Sequence, residues 1–451
     1  MRSGQDGDEA ATPACDAQNN LFRHAPAAYA GRNMKVPLAR IQGLCRRAVW
    51  RGLEAVRRPG DGPAPTAPRP VPRDRPFRVV FLVCESRKWT QQQVFDCLAD
   101  TPGLAVSFAL IPSDLAVRMS AADRARHHAS QVAAFAALGP VSCDLLGAGD
   151  WLRDLRGLEA DLVMLQQPWG MQDVPRRLAG RIACAHISYE LGVIDDSRQQ
   201  AALPDFHPWL WRMFVPGPLH ARMIRRTPGA IDPARVIASG SPRLDAWRAM
   251  LRGASSAPTA SGPRIVVWAP HHSLGARSLR LGTFDWSAPA MLSLARAQPD
   301  MRFVLRPHPN LWYALERFRP GTAEPFRQAW QALPNTRLCE EGDPLPALMA
   351  ADALITDSAS FLAEFLLSDR PILRLSRPDS KPLSEFGAQL QPGFYDCPDA
   401  ATLQQHFAAV ILAGLDPLQA PRRALAAALC PPGAPVAALR IRDEILAAIG
   451  R

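Results

Sequence analysis

The stretch Leu354-Ile-Thr-Asp-Ser-Ala-Ser-Phe-Leu-Ala-Glu-Phe365 has the makings of a phosphate seat. Strand-like residues end at Thr356, a small-residue turn follows, and a helical pattern opens near Ser360. Free backbone N–H groups at a helix start, flanked by the Ser358 and Ser360 hydroxyls, suit an anion. Glu364 follows Ser360 by one turn on the same face, where its carboxylate could accept hydrogen bonds from ribose hydroxyls. The plain alternative is a helix capped by Ser358 or Ser360.

Three further clusters follow predicted strands. In Arg306-Pro-His-Pro-Asn310 two prolines pin the backbone around a guanidinium and an imidazole. Arg306 offers a donor fork for phosphate oxygens, and His308 can donate a hydrogen bond or a proton as a leaving group departs. In Trp268-Ala-Pro-His-His-Ser273 adjacent histidines on an extended segment should point to opposite sides, so only one should face a cleft. His271 then reads as a donor-phosphate or hinge-loop contact, and no metal is expected, because the spacing is poor for a shared zinc. The last cluster joins Gln166-Gln-Pro-Trp169 to Ala185-His-Ile-Ser-Tyr-Glu190. His186 there could take a proton from an acceptor hydroxyl, or could be a satisfied core histidine.

Such clusters need strands to end on and helices to start from. Short apolar runs at 78–83, 104–111, 161–165, 181–187 and 235–238 form one series, and 264–268, 301–305, 353–356 and 371–375 form a second. Helical stretches such as 91–100, 287–297 and 361–367 lie between them. Strands apolar on both faces and separated by helices predict parallel sheets. The expected fold is therefore α/β of the GT-B type, with two doubly wound Rossmann-like domains, 77–246 and 262–451. Gly, Ser, Ala and Pro collect between them, and ligand belongs in the cleft at the strands' carboxyl ends. At 451 residues, two domains plus appendages suit the length.

The appendage is at the amino end. Residues 1–33 lack periodicity and read as a disordered leader. Over 34–58, Leu38, Ile41, Cys45, Ala48, Val49 and Val56 share a helical face flanked by a row of Arg40, Arg47, Arg51 and Arg58. That pattern suits a basic helix on an anionic membrane surface, or a solvated helix packed on the body. Seven prolines then make 59–76 a stiff linker.

Of the net charge of +10, the first 75 residues hold 13 Lys/Arg against 7 Asp/Glu, or +6, leaving about +4 for the rest. A nucleic-acid enzyme should spread basic residues over its body, so nucleic acid is not an expected partner. The nine cysteines show no C-x-x-C pair and read as reduced thiols in the cytosol. No signal peptide or apolar run of spanning length appears, which predicts a cytoplasmic protein, peripheral on the inner membrane face. Walker A, G-x-G-x-x-G and G-x-S-x-G patterns are missing, and the one D-x-D, Asp6-Gly-Asp8, lies in the leader. Positive side chains and a helix start would have to neutralise phosphate, and no cofactor is expected.

Taken in order, these motifs resemble the CDP-glycerol glycerophosphotransferase family, which includes teichoic acid primases and polymerases. Gly240-Ser-Pro-Arg-Leu-Asp245 resembles its G-x-P-R-x-D motif. Val266-Val-Trp-Ala-Pro270 resembles its apolar strand ending in Ala-Pro, and Ile355-Thr-Asp-Ser-Ala-Ser360 its T-D-Y-S-S motif, with Ser358 in place of Tyr. The family's W-H-G-T-P motif is echoed only by Ala185-His-Ile-Ser188. The likeness spans residues 78–412. It implies a phosphotransferase acting in synthesis of a cell-envelope polysaccharide, teichoic acid-like or capsular. Polyol phosphate would pass from CDP-glycerol, or another CDP-polyol, to a glycan or lipid-linked acceptor, with release of CMP. It casts His186 as base and Arg306 and His308 as stabilisers of the diphosphate. Thr356, Asp357, Ser358 and Ser360 would hold phosphate, and Glu364 ribose. A GT-B glycosyltransferase using a nucleotide sugar and a non-catalytic membrane-associated assembly factor are the rival readings.

Overall fold

The run Phe-Arg-Val-Val-Phe-Leu-Val is almost wholly buried, and in the computed structural model it forms β1 (Phe77–Val83), the hub of the first sheet. The structure describes residues 65–451 apart from 113–118, 147–150, 254–261, 276–278, 341–343, 432 and 434–435. The predicted leader and basic helix lie outside the described residues. From Pro63 onward the chain is one compact unit.

Six strands join β1: β2 (Leu104–Leu110), β3 (Val141–Asp144), β4 (Leu162–Leu165), β5 (Ala183–Ile187), β6 (Arg212–Val215) and β7 (Val236–Ala238). Their order is β3-β2-β1-β4-β5-β6-β7. The second sheet holds β8 (Ile265–Ala269), β9 (Arg302–Leu305), β10 (Thr336–Leu338), β11 (Ala353–Thr356), β12 (Ile372–Leu375) and β13 (Tyr395–Cys397), ordered β10-β9-β8-β11-β12-β13. Every strand pair is parallel. Both sheets reverse winding beside their first strand, between β1 and β4 and between β8 and β11. Crevices open at such switch points, and ligands bind there in doubly wound sheets.

Apolar layers cover both faces of each sheet. Phe95, on the helix Gln92–Ala99, stacks on Phe108 of β2 with ring centres 4.3 Å apart. In the second lobe Trp268 packs on Phe284, Phe326 and Trp330.

The lobes are stitched together. The helix Pro242–Gly253 puts Leu244 and Trp247 into the core that holds β11. The last helix, Ala437–Ala448, assigned by sequence to the second domain, instead returns to the first sheet. Its Ile441 and Ile445 bury with Phe77 and Val79, because one turn of spacing aligns them in one stripe. Asp245 accepts a hydrogen bond from Ala437 N–H at 2.6 Å, tying the two crossing helices together. A clasp forms where Ile194 bridges Leu383 antiparallel, Asp195 N–H donates to Pro382 O, and Ser384 N–H donates to Val193 O. Gly387 is required there, since a Cβ would stand 2.0 Å from the Val193 carbonyl oxygen.

The described part of the proline-rich segment lies on the first lobe. Val71 packs against its core, and Arg75 forms a two-pronged pair with Asp161 at 2.7 and 2.9 Å. No helix among the described residues is long and apolar enough to cross a membrane.

Candidate active site

The loops after β8, β9 and β11 meet at the second lobe's switch point, and Asp357 gathers them. Its buried carboxylate accepts from His271 N–H at 2.5 Å, from Thr283 N–H at 2.7 Å and from the Thr283 hydroxyl at 2.8 Å. Burial pushes its pKa up to about 7, against the pull of those donors. Thr356 is also committed, because its hydroxyl donates to Ala269 O at 2.6 Å and accepts from Ser358 N–H at 2.9 Å. Both residues were expected to hold phosphate. In the structure the side chains of both bind the protein, and they shape the loops around the seat.

Ser358 caps the helix Ala359–Phe365 in extended conformation and forms no side-chain cap. Ser358 and Ser360 are partly exposed, which leaves hydroxyls and helix-start N–H groups together, as expected.

His308 docks on the same site through its backbone, with its N–H donating to Pro270 O at 3.0 Å. Its ring centre lies 5.1 Å from His271 and 3.9 Å from His272, and the last two lie 4.4 Å apart. Both adjacent histidines therefore join the cluster, contrary to the expectation that one would turn away. Residues 270–274 are not strand, so the alternation of a pleat does not apply.

Hydrogen bonds fix the chemistry of these rings. Asn310 N–H donates to His308 Nδ1 at 3.1 Å, and Ser273 N–H to His271 Nδ1 at 3.2 Å. A neutral ring accepting at Nδ1 carries its proton on Nε2, so each presents an N–H donor. Burial, reinforced by neighbouring positive charge, holds His271 and His308 well below the ordinary histidine range, and His272 near 4. The cluster is thus neutral at pH 7 and rich in donors, which suits an anion.

One ligand atom from each of the three histidines falls within 4.8 Å of the others, close enough to raise a metal site. The geometry opposes one. The His272 and His308 rings stack at 29°, and a shared ion must lie in both ring planes. Planes so nearly parallel do not converge at a metal–nitrogen distance of about 2 Å. Histidine ligands also normally donate through their second nitrogen, the reverse of the polarity found here.

Arg306 and Glu364 differ from expectation. The buried Arg306 guanidinium donates to Cys339 O at 3.1 Å, toward the end of β10. The Glu364 carboxylate is buried and pairs with Arg243 at 2.6 Å, with Trp247 Nε1 at 3.4 Å. It links two of the sequence motifs, since Arg243 and Trp247 sit on the helix that crosses from the first lobe.

His186 lies in the first lobe's core rather than in the cluster. It is 2% exposed, Nδ1 faces Leu165 O at 3.0 Å, and its ring packs edge-on against Phe206. Burial drives its pKa down to about 4. The core-histidine alternative describes it, because its side chain shares the sheet face of Cys184, which is packed over.

Sequence reasoning missed Lys88. It ends the turn Ser86–Lys88 just beyond β1, and its positive charge helps to depress both His272 and His308. The available signal was positional: a cation directly after the strand that borders a switch point.

No protein-family model matches the sequence, and no curated protein matches it. Solved structures do. UDP-GlcNAc 2-epimerase from Neisseria meningitidis, bound to UDP-GlcNAc, aligns over 82% of this chain and 100% of its own, at 14% identity and a TM-score of 0.58. The S. aureus MnaA–UDP structure aligns over 83% and 97%, at 12% identity and a TM-score of 0.55. The wall teichoic acid polymerase TagF aligns over 82% and 88%, at 12% identity and a TM-score of 0.49. In fold, this chain is a GT-B protein, with two parallel-sheet Rossmann-like lobes and a cleft between their switch points.

Proposed function

We propose that this protein is a transferase that takes a nucleotide-activated donor, with a CDP-polyol such as CDP-glycerol as the donor class and a surface-glycan or lipid-linked hydroxyl as acceptor. The observation that carries the reading is the seat at the β8/β11 switch point. The loops that carry His271 and His308 meet the helix opened by Ser358 there, since Asp357 accepts from His271 N–H and His308 N–H donates to Pro270 O. Such neutral donors, in the field of the Lys88 charge, suit a diphosphate.

In the transfer, the acceptor oxygen forms a bond to the β-phosphorus as the bond from that phosphorus to the bridging oxygen breaks. The electron pair leaves with CMP, and the acceptor proton passes to a base. His308, whose neutral ring keeps a proton on Nε2, stabilises the departing phosphate by hydrogen bonding. The CDP-polyol class is supported by the motif resemblance, and by the meeting of two of those motifs in the Arg243–Glu364 pair.

A second reading is chemistry on a nucleotide sugar. It is supported by the UDP-GlcNAc or UDP held in solved epimerases of the same fold. Incubating the protein with CDP-glycerol, UDP-GlcNAc and GDP-sugars, each with a glycan acceptor, separates the two. CMP release from CDP-glycerol supports the first, and turnover of UDP- or GDP-sugars alone overturns it in favour of the second.

A further inference from the structure

The first lobe has its own switch point, between β1 and β4, and a carboxylate stands there. Glu85 follows β1 by two residues, is 1% exposed, and neither of its carboxylate oxygens meets a hydrogen-bond donor among the described residues. Its backbone is clamped. Gln166, directly after β4, accepts from Cys84 N–H at 2.9 Å and donates to Glu85 O at 2.8 Å. On the other side Gln131 accepts from Ser86 N–H at 2.7 Å. His127, one turn before Gln131 on the helix Ala121–Ala136, brings Nε2 to 3.6 Å from Glu85 Oε2, beyond hydrogen-bond reach. That nitrogen, too, has no hydrogen-bond partner among the described residues.

A buried carboxylate without donors is costly, and a fold that clamps its backbone from both sides is holding it in that state. Glu85 stands just beyond β1 at the first sheet's switch point, the place where doubly wound sheets take their ligands, and Lys88, three residues further on, adds its charge to the field that depresses His308.

We propose that Glu85 is the general base for the acceptor hydroxyl and that His127 is its positioning residue; this deepens the transferase reading and rests on it. The acceptor O–H supplies the donor that Glu85 lacks. As the acceptor oxygen bonds to the electrophilic centre of the donor, its O–H bond breaks and the proton moves to the Glu85 carboxylate. The bond from that centre to the nucleotide's phosphate oxygen breaks, and its electron pair leaves with the nucleotide. Glu85 thereby takes the role that the family resemblance implies for His186.

The test uses the full chain with Glu85→Gln, Glu85→Ala and His127→Gln, read by nucleotide release, by calorimetric titration with CDP and UDP, and by thermal unfolding. Glu85→Gln should lower turnover by about 100-fold or more. It should leave nucleotide affinity unchanged and hold or raise the unfolding midpoint, because it removes an unsatisfied buried charge. Formate should restore part of the turnover to Glu85→Ala, and His127→Gln should lower turnover less than Glu85→Gln does. Wild-type turnover in Glu85→Gln, or a lowered midpoint with no rescue by formate, would make Glu85 a structural residue and overturn the proposal. If the wild-type protein binds neither nucleotide, the transferase reading falls, and the base falls with it.

Discussion

Three donors converge on the Asp357 carboxylate, and two of them belong to the segment around Thr283 that closes over the histidine loop. Replacing it with Asn turns an NH2 group toward N–H and O–H donors and leaves buried groups unpaired. We expect Asp357→Asn to cost about 2–4 kcal/mol in urea unfolding and to weaken nucleotide binding. Wild-type stability would show that the convergence is incidental. His308→Ala is expected to behave differently, because its ring makes one local bond, to Asn310 N–H, and otherwise faces other rings. Nucleotide affinity should fall by about ten-fold, one lost hydrogen bond's worth, with little change in unfolding midpoint. A large loss of stability without loss of binding would make it a core residue. At this scale the sequence placed Ser358, Ser360 and His308 just beyond the carboxyl ends of strands, which is where they stand. For Thr356, Asp357, Arg306 and Glu364 it did not show the protein partners they hold, since a polar side chain at a strand end serves a ligand or a neighbouring loop equally well. Only the partners' positions decide which.

Strands and helices set where such residues stand. The long apolar runs Phe77–Val83 and Leu104–Leu110 were legible because burial on both faces leaves no polar interruptions. β3 and β10, each at a sheet edge, and the short β13 were not, since exposed residues such as Ser142 and Arg337 blur the pattern. β6 was missed for another reason: it begins at Arg212, which pairs with Glu444 of the last helix, a contact no local window contains. His186 belongs to this scale, since the face it occupies on β5 makes it a core group. Its pKa of about 4 lies below the ordinary 6.5, so between those values the unfolded chain binds the extra proton. Stability should therefore be full above pH 6.5 and fall by up to about 3 kcal/mol as pH drops toward 4. Urea titrations of wild type and His186→Phe across that range should show a shallower pH slope in the variant. An identical slope would mean that His186 is hydrated in solution.

The whole molecule is two doubly wound lobes, and the connections between them lie in side-chain and backbone contacts rather than in any motif. Sequence placed the last helix in the second domain because it follows that domain in the chain. Its Ile441 and Ile445 stripe has no address until the first sheet offers a matching surface. The Gly192–Asp196 and Lys381–Gly387 clasp was likewise invisible. Gly387→Ala should cost about 1–3 kcal/mol by pushing the Val193 carbonyl away, and should raise the KM for donor as the lobes part. An unchanged unfolding midpoint and KM would show that the clasp bears no load. The most direct measurement is a crystal structure of the full chain with CDP bound. The account predicts the diphosphate within hydrogen-bond distance of His308 Nε2 and of the Ser358–Ser360 helix start, with Lys88 on its far side. A diphosphate bound away from the β8/β11 switch point would contradict it.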